Sequence, residues 1–324
     1  MKKKIQYLAV LFVSLLSNQL IAQETLPIYT DYLSDNVYLL HPAAAGIGSC
    51  GKIRLTAGKQ WLGVANAPAL QTVSFHRKFD EYSKAAFGAI LFNDRNGYHS
   101  QKGVQGTYAY HLDMGNENMF NQLSFGLSLS FVQNEVNQIA FAGDPTVSQV
   151  INSDYYFNAD FGMAYHNNGF SSYLTIKNLL LSAKDNSQIA PLNLRNYILG
   201  AGYFFGNQEK IQFEPSIMFQ FKEQTSENII DFNMKAYKTI DNTQLWLALS
   251  YRTHLEGGGP LGDTKYLSPI LGVNINRFMM SYTYTKQLGD IVLANEGFHQ
   301  VTLGFNLFCA KRRTTACPNI NGSF

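Results

Sequence analysis

Few residues of this chain stand in patterns that do chemistry. Asn93-Asp94-Arg95-Asn96-Gly97 sets a carboxylate beside a cation, but a turn closing a strand accounts for the whole stretch. His111, His254 and His299 are scattered, and no His/Asp/Glu spacing resembles a metal cage. Gly257-Gly258-Gly259-Pro260-Leu261-Gly262 precedes Asp263-Thr264-Lys265 without the Gly-Lys-Ser/Thr order of a phosphate loop. Serine and histidine are present, yet no nucleophile motif surrounds a serine; a hydrolase would need a Ser–His pair within hydrogen-bond reach on one rim. No catalytic residue, metal or cofactor is therefore assigned. Trp61 is read as an interfacial anchor at a strand end, with a partner surface as the alternative.

The elements around these residues are more telling. In Asn121–Phe131, Leu123, Phe125, Leu127, Leu129 and Phe131 take one parity, and Ser124, Gly126, Ser128 and Ser130 the other. Successive strand side chains point to opposite faces, so one face is apolar and the other small and hydroxylic. The pattern recurs. Ile211, Phe213, Ile217, Phe219 and Phe221 oppose Gln212, Glu214, Ser216, Gln220 and Lys222, and Val301, Leu303, Phe305 and Leu307 oppose Thr302, Gly304 and Asn306. Segments of this kind in series are the signature of a transmembrane antiparallel β-barrel. Charges such as Asp160, Glu214 and Lys222 assign the polar parity to the lumen, since hydrocarbon would cost them several kcal/mol. The strands are expected at 52–60, 69–78, 85–94, 104–111, 122–133, 157–166, 170–178, 195–205, 211–222, 229–238, 245–252, 266–274, 277–286 and 298–308, about fourteen in all. On this parse the odd-numbered connections reach roughly 23 residues and the even-numbered ones stay at roughly 10 or fewer, the division between extracellular loops and periplasmic turns. Residues 134–156 and 179–194 form the longest loops.

Ahead of the barrel, Lys2-Lys3-Lys4, an apolar run Ile5–Leu16 and Leu20-Ile21-Ala22 read as a secretory signal peptide, residues 1–22, cleaved after Ala22. Residues 23–51 lack a period and are expected on the periplasmic rim or partly inside the barrel, followed by a barrel over 52–308 and a tail over 309–324. Lys311-Arg312-Arg313 is a solvated end, or a periplasmic docking patch. Removing three lysines leaves 25 − 3 = 22 basic residues against 23 acidic ones, which gives no reason to expect nucleic acid. A charged fraction of 15% with 14% aromatics fits an apolar outer band with aromatic girdles in outer-membrane lipid.

Several stretches, in order, resemble the PorP/SprF membrane proteins of the type IX secretion system. His41-Pro42-Ala43-Ala44-Ala45-Gly46 is similar to the family's Asn-Pro-Ala-Tyr-Ala-Gly opening, and Lys59-Gln60-Trp61 to its Arg-x-Gln-Trp motif, followed by Ala67-Pro68. Phe92-Asn93-Asp94-Arg95-Asn96-Gly97 resembles the end of its third strand, Tyr108-Ala109-Tyr110-His111 its Tyr-x-Tyr-His strand, and Gly297-Phe298-His299-Gln300 with Leu303 its closing strand. His41, Ala45 and Gln300 depart from the usual Asn, Tyr and Glu. The resemblance implies a non-enzymatic outer-membrane barrel that assists export or surface anchoring of secreted clients such as adhesins, and so a link to gliding. Its partners would be periplasmic secretion components and a surface-protein client. The alternative is a transporter for hydrophobic small molecules.

The three cysteines bear on closure. An even strand number brings both chain ends to the periplasmic side and makes first and last strands neighbours. Cys50 precedes the first strand and Cys309 follows the last. A Cys50–Cys309 disulfide would staple that seam in an oxidising compartment. Cys50–Cys317, Cys309–Cys317 and no bridge remain open.

Overall fold

A strand with one apolar face and one polar face is satisfied when its backbone groups pair with neighbours and its apolar face meets lipid. The computed structural model shows how the chain achieves this. It describes residues 32–61, 66–115, 120–139, 151–180, 195–207, 209–223, 227–255, 265–288 and 297–309. The expected signal peptide, most of the tail, Lys311–Arg313 and Cys317 lie outside these residues, as do 181–194.

The protein is a closed antiparallel barrel of fourteen strands. They are β1 (Gly51–Gln60), β2 (Ala69–Lys78), β3 (Ala85–Asn96), β4 (His99–Asp113), β5 (Asn121–Asn137), β6 (Ile151–Asn167) and β7 (Phe170–Lys177). After them come β8 (Asn196–Tyr203, resumed at Phe205–Gly206), β9 (Gln212–Lys222), β10 (Glu227–Ile240), β11 (Thr243–His254), β12 (Lys265–Ile275), β13 (Phe278–Leu288) and β14 (Phe298–Leu307). Each pairs with its chain neighbours, and β1 pairs with β14 from Gly51↔Leu307 to Gln60↔Phe298, which removes any free edge.

Parity falls as the alternation requires: Leu127 is 49% exposed and Ser128 1%. The strands of one wall, however, outrun the hydrophobic pattern. Expected to stop at 94 and start at 104, β3 and β4 instead continue to Asn96 and from His99, joined by a tight turn at residues 97–98. Asn93 to Asn96 are therefore strand, not turn, and Gly97, with φ +63°, alone of the motif takes the left-handed conformation. Likewise β5 and β6 extend to Asn137 and from Ile151, so much of the expected loop 134–156 is a protruding hairpin. Polar residues sit on both faces there because both faces are wet; backbone pairing sustains the strands without an apolar stripe. Its centre, 140–150, lies outside the described residues.

The core lies inside the barrel. Residues 32–50 enter the lumen, with short 3-10 turns at Val37–Leu39 and Pro42–Ala44. Tyr38, Leu39, Ala43, Ala44, Ala45 and Ile47 pack on Ala86, Ile90, Ala109, Phe120 and Ala164 of the wall and its rim. Leu33 packs with Tyr237, Trp246, Ala248 and Ile270, and Leu40 with Ile198 and Met218. The polar reading of the inward parity is thus corrected in part: the wall turns apolar where the plug touches it.

Candidate functional site

A segment threading a lumen buries its own polar groups, which call for partners there. The plug finds them around the whole circumference. Asp35 receives Lys52 Nζ at 3.1 Å and Arg54 Nη2 at 2.7 Å, all three buried, and Arg54 also donates to Asn306 Oδ1 at 2.9 Å. This ties the plug to β1 and β14 across the seam. Burial alone would raise the Asp35 carboxyl, but the two cations hold it below its ordinary value.

The other contacts follow in turn around the wall. Asn36 and Ser74 of β2 exchange hydrogen bonds at 3.1 and 3.2 Å. Tyr38 donates to Thr107 Oγ1 of β4 at 2.7 Å, and Thr107 bonds Ser128 of β5. His41 bonds Thr175 of β7 at 2.8 Å and stacks on Tyr173 at 4.7 Å. Burial, with Lys177 and His166 nearby, pushes the His41 imidazole down to about 3, so it is neutral. Gly46 donates its N–H to His76 Nδ1 at 2.9 Å, and Asn233 of β10 donates to the Tyr32 hydroxyl at 2.7 Å.

Close approach dictates the glycine at one wall position. A Cβ on Gly126 of β5 would collide with the Pro42 and Ala43 backbone. The small inward face of Asn121–Phe131 is there to admit the plug. Beside it remains a cavity of about 50 Å³ lined by residues including Tyr32, His41, Tyr173, Glu214, Met218 and Lys235, room for little more than water. Elsewhere the wall carries its own paired charges, such as Arg252 bidentate to Asp231 at 2.7 Å.

The sequence motifs divide three ways. Pro42, Gly46 and His111 meet in the lumen: His111 bonds the Ala45 carbonyl through Nε2 at 2.9 Å and Ser124 Oγ through Nδ1 at 2.8 Å. This is a Ser–His pair within hydrogen-bond reach, but both side chains are 0% exposed beneath the plug. Gln60, Trp61, Pro68, Gly297 and His299 gather at the outer end of the seam. There Gln60 N–H donates to the Pro68 carbonyl at 2.9 Å and Trp61 N–H to the Gly297 carbonyl at 3.2 Å, while His299 Nδ1 bonds Tyr282. Tyr110 and Leu303 face outward, and Asn93 and Asp94 take opposite faces of β3 and do not join either group. At the inner end of the seam a disulfide joins Cys50 to Cys309, their Cα atoms 4.0 Å apart. Among the described residues no cluster of three His, Cys, Asp or Glu could hold a metal ion.

The family profile "Type IX secretion system membrane protein PorP/SprF" matches residues 21–305, plug and barrel together. The chain belongs to the PorP/SprF family. No curated protein matches it. Among solved structures it is similar to a bacterial polysaccharide outer membrane secretin (6% identity, 81% of this chain and 99% of that one, TM-score 0.41). It is also similar to BamA from Haemophilus ducreyi lacking POTRA domains 1–3 (11%, 80% and 70%, 0.40) and to the NalP translocator domain from Neisseria meningitidis (10%, 86% and 94%, 0.38). This PorP/SprF protein is an outer-membrane β-barrel of the type IX secretion apparatus.

Asp35, Lys52, Arg54 and Tyr38 were not singled out by sequence reasoning, and Gly126 was read only as part of a small inward face. A signal for them existed: Ile90, Ile198, Met218, Trp246 and Ile270 stand on the inward parity, where a wet lumen has no use for them.

Proposed function

We propose that this PorP/SprF protein assists export or surface anchoring of a secreted client by binding, without catalysing a reaction. The observation that carries this reading is the plug, bonded to strands all around the lumen, with a cavity of only about 50 Å³ beside it among the described residues. A barrel filled in this way is suited to act as a membrane-held platform rather than a conduit. The periplasmic rim, where the plug enters and the seam is stapled, would meet the secretion machinery. The protruding β3–β4 and β5–β6 hairpins would face the client outside the cell. The sealed Ser124–His111 pair favours a plug-holding role over hydrolysis, because no substrate carbonyl can approach it.

The test is deletion of the gene followed by measurement of a secreted surface protein on intact cells. Surface display should fall while small-solute permeability stays normal. Normal display alongside a defect in uptake of an apolar nutrient would instead select the transporter alternative.

A further inference from the structure

That reading uses the hairpin tips and leaves the lipid-side face at the outer rim of β1–β4 without a role. Register places Leu55, Val73, Leu91 and Val104 in one row across these strands, and their side chains are 46, 40, 53 and 45% exposed, as a lipid-facing band requires. The next row towards the outer end is Ala57, Gln71, Asn93 and Lys102, and the row beyond begins Lys59, Ala69, Arg95. With strands ~4.8 Å apart, Lys59 and Arg95 lie about 10 Å from each other, and Lys102 sits diagonally across from Arg95.

The three cations are exposed. The Arg95 guanidinium donates, among the described residues, to two neutral oxygens, Asn66 Oδ1 and the Gly97 carbonyl. Among the described residues no carboxylate faces outward in these two rows on β1–β4, where Asp94 points inward; the first one met is Glu135 of β5, opposite Ser100 and diagonal to Lys102, so the excess of positive charge lies on the β1–β3 side. Asn93 Nδ2, bonded to Gln71 Oε1, adds a polar neighbour between the cations. Positive charge therefore concentrates one step outboard of hydrocarbon-facing side chains.

We propose that this rim binds the phosphorylated headgroup of an outer-leaflet lipid, whose acyl chains lie along Leu55, Val73, Leu91 and Val104. Arginine's planar fork and the lysine ammonium groups are suited to phosphate, and long stems lying on apolar surface carry the charges to headgroup level. The adjoining apolar row selects a lipid over free phosphate, which would have no use for it.

Native mass spectrometry of the full-length mature protein with bisphosphorylated lipid A tests this. The triple variant Lys59→Gln, Arg95→Gln, Lys102→Gln should bind about 100-fold less, while keeping the heat-modifiable gel mobility of a folded barrel. Arg77→Gln, at the opposite rim, should bind as the wild type does. A phosphate-free lipid A analogue should show no difference between wild type and triple variant. If the triple variant does not fold, Lys102→Gln alone should weaken binding about fivefold. Equal lipid A binding by the folded variants and wild type would overturn the proposal. Complete displacement by inorganic phosphate, or retention of an acidic peptide in place of lipid, would overturn it as well.

Discussion

Asp35 shows how single residues hold the plug. Its carboxylate neutralises Lys52 and Arg54, which are otherwise buried cations on β1. Asp35→Asn removes the carboxylate that both cations contact, at a cost of about 3–5 kcal/mol. Hydrogen-exchange protection over residues 32–50 should fall ~100-fold or more, with the distant strands unchanged. Acid should act in the same direction. His41 has a value of about 3 in place and about 6.5 once released into water, so between those values the released segment binds more protons and the plug loosens as pH falls. Asp35, lowered in place, adds its own loss below about pH 4. Protection that rises on acidification would contradict the assignment. On the wall, a lysine at Leu127 should cost about 2–4 kcal/mol near the midplane, measured by refolding into lipid vesicles. Ser128 faces the lumen, where a charge would be tolerated if space allowed, but Thr107 Oγ1 lies 2.7 Å away. Any bulky group there disturbs the plug instead, and a spin label at Ser128 should be shielded from both oxygen and water.

Elements divide sharply in how far they can be read from sequence. Strands such as β2 were legible because lipid on one side and lumen on the other impose a period of two. The protruding ends of β3 to β6 were not, since outside the bilayer the period has no cause. Least legible was the plug. Its contacts reach from Asp35 to Lys52 up to Tyr32 to Asn233, and a local pattern cannot encode partners so distant along the chain. The seam is intermediate: strand parity and closure put Cys50 and Cys309 at one end, but did not exclude Cys317. The bridge closes a loop with a separation of 259 residues, and the chain-entropy argument gives it up to about 5 kcal/mol. Cys50→Ser with Cys309→Ser should lower the urea midpoint of the folded barrel by that measure or less. An unchanged midpoint would mean the β1–β14 ladder alone fixes the seam.

For the whole molecule, the account rests on the lumen being filled. The barrel and its family were readable from alternation and from ordered motifs; that those motifs include the plug and its wall receptor, Pro42, Gly46 and His111, needed the structure. A sealed barrel acts through its surfaces, and both the proposed client role and the periplasmic docking depend on that. Single-channel recording in planar bilayers tests it most directly. The wild-type protein should show no sustained conductance, and Gly126→Val, which denies Pro42 and Ala43 their seat, should open long-lived conducting states. A steady porin-like conductance from the wild type, unchanged by Gly126→Val, would contradict the account.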